Sequence, residues 1–120
     1  MARNIEIKVD PLKDVLDITK GKLMTNLKGH IVESGMVYEV SLESKVKYHG
    51  NAYPVNKVVV YNTTNHYSKG WFYVIEEGCP TMIKIGNSGT EHDKVYVFFV
   101  DITSQDNTGQ ATVTFKPLCK

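Results

Sequence analysis

Hydrophobic and polar residues alternate with a period of two along most of this chain. The clearest stretch runs from Met36 to Tyr48. Tyr38, Val40, Leu42, Val46 and Tyr48 fall on one side of it, and Glu39, Ser41, Glu43, Lys45 and Lys47 on the other. Successive side chains of a strand point to opposite faces, so the pattern predicts one long strand with a core face and a wet face. Residues 4–9, 28–33, 57–62, 70–76, 81–85, 94–100 and 111–116 read as further strands. Turn signals separate them: Ser34-Gly35, His49-Gly50-Asn51, Gly78-Cys79-Pro80 and Gly86-Asn87-Ser88-Gly89. One stretch has a different period. Asp10 is placed to cap a short helix with Pro11 at its first position, Leu12, Val15, Leu16 and Thr19 at helical spacing, and Gly21 at its end.

About eight short strands, rich in β-branched and aromatic residues, predict an all-β fold: an antiparallel jelly-roll or β-sandwich with one short N-terminal helix. A flattened barrel is the alternative. At 120 residues the chain reads as a single domain, 1–120, with one core. A net charge of +1 and no basic tract give no footprint for nucleic acid. No stretch approaches the roughly 18 apolar residues of a membrane span. The N-terminus lacks the apolar core of a secretory signal, so the expectation is a cytoplasmic chain as synthesised, or one released by a non-classical route. Cys79 and Cys119 are too few for a disulfide scaffold and are either free or joined to each other.

Catalytic constellations are missing from the sequence. His30, His49, His66 and His92 lie in different parts of the chain, and none is spaced as a metal-ligand pair. Glu76-Glu77 are strand neighbours and face opposite sides. The glycines of residues 86–89 precede no helix and make a turn rather than a phosphate cradle. The expectation is that the protein is not an enzyme.

The densest chemistry is the strand–loop–strand run from Lys94 to Lys116. A buried strand ends in Asp101, the loop carries Thr103, Ser104, Asp106, Asn107 and Gly109, and residues 111–115 alternate as a half-buried strand. The loop is longer and richer in oxygen donors than a two-residue hairpin turn. Calcium takes six to eight oxygens in flexible geometry, and Asp101, Asp106, Asn107 and loop carbonyls can supply several. An ordinary polar hairpin loop is the alternative, since Asp and Asn are common turn residues. Among the other polar stretches, His66 and Tyr67 lie in a run from Thr63 to Ser68 that suits an exposed binding loop. His49 sits in a turn, where plain solvation is the alternative to a binding role. Tyr48, Tyr53, Tyr67 and Trp71 lie near loops and are candidates for an aromatic face against a sugar. For Tyr48 and Trp71 the alternative is a place in the core.

The last hairpin resembles that of the small bacterial calcium-dependent galactose-binding lectins of the lectin A (PA-IL-like) type. The resemblance rests on Val97-Phe98-Phe99-Val100-Asp101, then Asp106-Asn107-Thr108-Gly109, then Ala111-Thr112-Val113-Thr114-Phe115. A second echo is a turn glycine, Gly35, followed by a long alternating strand ending in Tyr48-His49-Gly50. Lys84-Ile85-Gly86-Asn87-Ser88-Gly89-Thr90 matches a family stretch in wording but lies too close to the last hairpin to count as its counterpart. The resemblance implies a jelly-roll sandwich and a calcium held by the side chains of Asp101, Asp106 and Asn107. Backbone oxygens of Tyr48 and of Thr103 or Ser104 would complete the set. It also implies a galactoside whose vicinal hydroxyls ligate the cation, with Asp101 and Asp106 accepting sugar hydrogen bonds. His66, with Tyr67, is the nearest counterpart of the family's pocket histidine, and His49 is a further ligand-binding candidate. A homo-oligomer is expected, because single sugar sites are weak and gain by multivalency. The competing reading is a non-enzymatic structural or interaction β-sandwich, such as a virion or surface assembly subunit. A third is a sandwich that binds membrane surfaces through calcium, or a small toxin-like protein.

Overall fold

The computed structural model describes residues 3–23, 28–50, 52–62, 72–101 and 106–119. Among the described residues twelve strands follow one another: β1 (Ile5–Val9), β2 (Val15–Asp17), β3 (Lys22–Leu23), β4 (His30–Glu33), β5 (Val37–Ser44), β6 (Lys47–Tyr48), β7 (Tyr53–Pro54), β8 (Lys57–Tyr61), β9 (Phe72–Glu76), β10 (Thr81–Lys84), β11 (His92–Asp101) and β12 (Ala111–Cys119). One sheet has the order β1-β12-β5-β10. The other runs β3-β2-β11-β8-β9. In it β4 pairs with His92–Val95 of β11, and β2 with Phe99–Asp101. A small β6-β7 arm stands apart from both sheets. The principal strands are β1, β4, β5, β8, β9, β10, β11 and β12. Counted from first to eighth, they lie in the orders first-eighth-third-sixth and second-seventh-fourth-fifth. That is the strand order of a two-sheet jelly roll.

Alternation explains why two layers form. Ile7, Val40, Ile83, Val113 and Phe115 point inward from the first sheet, and Val15, Val32, Val60, Ile75, Val97 and Phe99 from the second. All are at most 4% exposed. They belong to one hydrophobic cluster, within which Tyr38 meets Phe115 edge-on at 5.6 Å. The outer faces differ. The first sheet turns Glu6, Lys8, Glu39, Ser41, Thr112 and Thr114 outward, and Lys8 Nζ donates to Thr112 Oγ1 at 3.1 Å. The second turns out Ile31, Tyr96, Phe98, Val100 and Val74, of which Ile31, Val74 and Val100 are exposed.

Three expectations are corrected. First, no helix occurs among the described residues. Asp10 does organise a turn: its Oδ1 accepts from Leu12 N at 2.8 Å, and its carbonyl accepts from Asp14 N at 2.7 Å. The chain then extends into β2, because Val15 is drawn into the core beside β11 and Phe99 N donates to Asp14 O. Leu12 and Thr19, half of the supposed helical stripe, are exposed. Second, β2 runs parallel to β11, so the second sheet is mixed rather than purely antiparallel. Third, the long strand breaks after Ser44. Ser44 Oγ donates to Val55 O at 2.6 Å and accepts from Val46 N at 3.2 Å, which bends residues 45–46 out of the ladder and launches the β6-β7 arm. Cys79 and Cys119 are free and exposed. No helix among the described residues is long and apolar enough to cross a membrane.

Candidate functional site

The strand–loop–strand run ends at a corner where three segments meet. β11 brings Asp101 to it, residues 106–110 lead back into β12, and the bend after β5 brings Tyr48-His49-Gly50 alongside. Backbone bonds lock these together. Lys45 N donates to Gln110 O at 3.0 Å, Lys47 N to Thr108 O at 3.0 Å, Thr108 N to Lys47 O at 2.9 Å, and Gly50 N to Asp106 O at 2.8 Å. Thr108 Oγ1 adds a bond to Gly50 O at 3.1 Å. The approach is close enough to require Gly109, which has φ of 80°. A Cβ there would collide with the Lys45 carbonyl oxygen.

Asp106 and Asn107 are adjacent and face opposite ways. The Asp106 carboxylate is exposed, with Oδ2 3.3 Å from His49 Nδ1. His49 has φ of 55°, a left-handed conformation that costs an ordinary residue roughly 1–2 kcal/mol. Its ring lies 6.0 Å from that of Tyr53, tilted by 36°, and Tyr53 is 63% exposed. Asp106, His49 and Tyr53 therefore make a wet shelf with one aromatic face. Asn107 turns inward and is 3% exposed. Its Nδ2 donates to Pro11 O at 3.0 Å, while its buried Oδ1 has no hydrogen-bond partner.

Asp101 is half-buried, and its Oδ2 is inaccessible to solvent. Its carbonyl accepts from Ile18 N at 2.8 Å. Directly across the parallel ladder stands Asp17, which is fully buried and accepts from Lys20 N through Oδ1 at 3.0 Å. Tyr48 closes the corner with its ring edge-on to Phe99 at 6.3 Å, and its hydroxyl donates to Val100 O at 2.9 Å. Burial, and then the negative charge of Asp101, push the Tyr48 phenol well above its ordinary pKa. Beside it is an apolar depression of about 270 Å³ lined by Tyr48, Val55, Lys57, Val59, Val74 and Val100.

The corner thus gathers Tyr48, His49, Asp101, Asp106 and Asn107 from the sequence-predicted set. It does not put Asp106 and Asn107 on one side. Thr103, Ser104, His66, Tyr67 and Trp71 lie outside the described residues. The sequence does not single out Asp17, because the helical spacing of Leu12, Val15, Leu16 and Thr19 masks it; the short alternation Val15-Leu16-Asp17 is the available signal. Among the described residues no three His, Cys, Asp or Glu side chains form a metal-binding group. The inward donors are oxygens of carboxylates and an amide, the chemistry that suits a hard cation rather than zinc. An unbonded buried amide oxygen costs about 1–3 kcal/mol, which a cation would recover. The sequence matches no protein-family model, and no curated protein or solved structure is similar to it at a significant level.

Proposed function

We propose that the protein is a non-catalytic, calcium-dependent carbohydrate-binding module of lectin type that takes galactoside-type glycans at the Asp101–Asn107 corner. The observation that carries this reading is Asn107 Oδ1, a buried oxygen acceptor with no hydrogen-bond partner in the loop whose residues resemble a calcium loop. Asp101 and Asn107 would hold the cation through side-chain oxygens, with Asp106 at the mouth and the carbonyls of Tyr48 and Thr103 completing the set. Calcium, when bound, supplies open coordination positions for vicinal sugar hydroxyls. The outward groups serve the sugar: Asp106 accepts hydroxyl hydrogen bonds, His49 lies against that carboxylate, and Tyr53 offers a ring face. His66 and Tyr67 are further ligand-binding candidates by their place in the sequence. The deciding experiment is binding to a broad glycan array in calcium and again in EDTA. Galactosides retained only in calcium support the reading; no glycan bound in either buffer removes it.

A second reading, an assembly subunit, is favoured by the exposed Ile31, Val74 and Val100 on the outer face of the second sheet. The two are compatible, since a homo-oligomer multiplies weak sugar sites. Sedimentation of a strictly monomeric species at high concentration would count against the second.

A further inference from the structure

We infer that a cavity at the other end of the sandwich binds a small zwitterion of amino-acid type with an apolar side chain, its carboxylate on Arg3 and its ammonium on Glu91. The site is separate from the Asp101–Asn107 corner and does not rest on the calcium reading. β11 begins at the cavity with His92 and reaches the corner at Asp101, about 30 Å away for ten extended residues. The cavity measures about 440 Å³. That lies within the roughly 300–1,000 Å³ of small-molecule pockets. It opens where β1, at the edge of the first sheet, parts from β4, which flanks β11 in the second.

The floor is apolar, made by Ile5 on β1, Val32 on β4, and Met36 and Tyr38 where β5 begins. Its one polar group, the Tyr38 hydroxyl, accepts from Glu33 N at 2.9 Å and ties β4 to the floor. A sugar's ring of hydroxyls would go unmatched against such a floor, whereas an aliphatic side chain suits it. The walls carry opposite charges. Arg3 stands two residues before Ile5 and four before the buried Ile7, so it has the parity of the inward face. Across the gap, Glu91 and His92 stand at the start of β11, and His92 is the register partner of Glu33. Neither Arg3 nor Glu91 makes an ion pair among the described residues. A guanidinium grips a carboxylate through two parallel hydrogen bonds. Glu91, with Glu33 also lining the cavity, suits an ammonium. One cation against two carboxylates disfavours a ligand that is only an anion. The Glu91 wall is held in place: Ser34 N donates to Glu91 O at 3.0 Å, and Ser88 Oγ and Thr90 Oγ1 donate to His92 O at 2.8 and 2.9 Å. A preformed wall loses little further freedom on binding.

The test is titration of the full chain, carrying methyl-labelled methionine, with L-leucine, L-phenylalanine, L-leucinamide and N-acetyl-L-leucine, read at the Met36 methyl resonance. Leucinamide keeps only the ammonium, and N-acetyl-leucine only the carboxylate. A free amino acid should shift the resonance saturably, leucinamide should bind at least about tenfold more weakly than leucine, and N-acetyl-leucine more weakly still. Arg3→Gln should weaken leucine about tenfold and leave leucinamide unchanged, whereas Glu91→Gln should weaken both. Arg3 and Glu91 are exposed at the mouth, so neither variant disturbs the core. No shift with either free amino acid up to its solubility limit would overturn the inference. So would leucine affinities equal in the wild type and both variants, or N-acetyl-leucine binding as tightly as leucine.

Discussion

Two buried asparagines sit at opposite ends of the second sheet, and they are satisfied differently. Asn62, 0% exposed, uses its whole amide. Its Nδ2 donates to Lys94 O at 2.9 Å and to Asp93 Oδ2 at 3.3 Å, and its Oδ1 accepts from Gly86 N at 3.0 Å. The network extends to Ser34, whose hydroxyl donates to Gly86 O and accepts from Ser88 N. Asn107 uses half of its amide. A fully satisfied buried polar group rigidifies a fold, whereas a half-satisfied one is a cost that native proteins rarely carry without a use. The contrast separates polarity that is spent within the fold from the unbonded oxygen on which the proposed cation site rests. It also gives the glycine-rich turn of residues 86–89 a role: it is welded to β4 and to the end of β8.

The largest expected effect is at Asn62. Asn62→Ala leaves Gly86 N, Lys94 O and Asp93 without their partner in a buried setting. It should cost about 3 kcal/mol or more, seen as a lowered urea midpoint with an unchanged slope. Asn107→Ala should cost much less in EDTA, about 1 kcal/mol at most, since the lost bond to Pro11 O is offset by removal of the unbonded buried oxygen. Equal losses at the two sites would dissolve the distinction between them. Smaller again is Tyr48→Phe, which gives up the bond to Val100 O for about 1 kcal/mol or less.

Tyr48 also makes a pH prediction. Its phenol titrates higher in the folded protein than the ordinary value of 10.0. Below that value both states are neutral and its contribution is fully present. As pH rises above it, the unfolded chain ionises first and stability falls. Urea midpoints measured upward from about pH 10 should decline in the wild type and less steeply in Tyr48→Phe. Parallel declines would remove Tyr48 from the account.

Much of the fold was legible because alternation is a direct image of a two-sided strand. The inward sets of β5, β11 and β12 are the ones their sequence pattern marks. What misled was local. Leu12, Val15, Leu16 and Thr19 fit a helix, but burying Val15 beside Phe99 stabilises an extended β2 more than a two-turn helix with exposed Leu12. Ser44 occupies a core-face position in the alternation of the long strand, and only the bond to Val55 O reveals the corner it makes. Of the corner, Tyr48, Asp101, Asp106 and Asn107 were marked in the sequence as oxygen-rich text. The opposite orientation of Asp106 and Asn107 was not, because neighbouring loop residues carry no fixed period. The pairing of Asp17 with Asp101 was hidden because it is long-range and parallel.

The most direct measurement is the thermal midpoint of the wild type and of Asn107→Ala, each in excess EDTA and in millimolar calcium. A ligand bound only by the folded state stabilises it by about 2.7 kcal/mol at a hundredfold excess over its dissociation constant. Calcium held at Asn107 should raise the wild-type midpoint by several degrees and leave that of Asn107→Ala unmoved. A wild-type midpoint indifferent to calcium, or an equal rise in the variant, would contradict it.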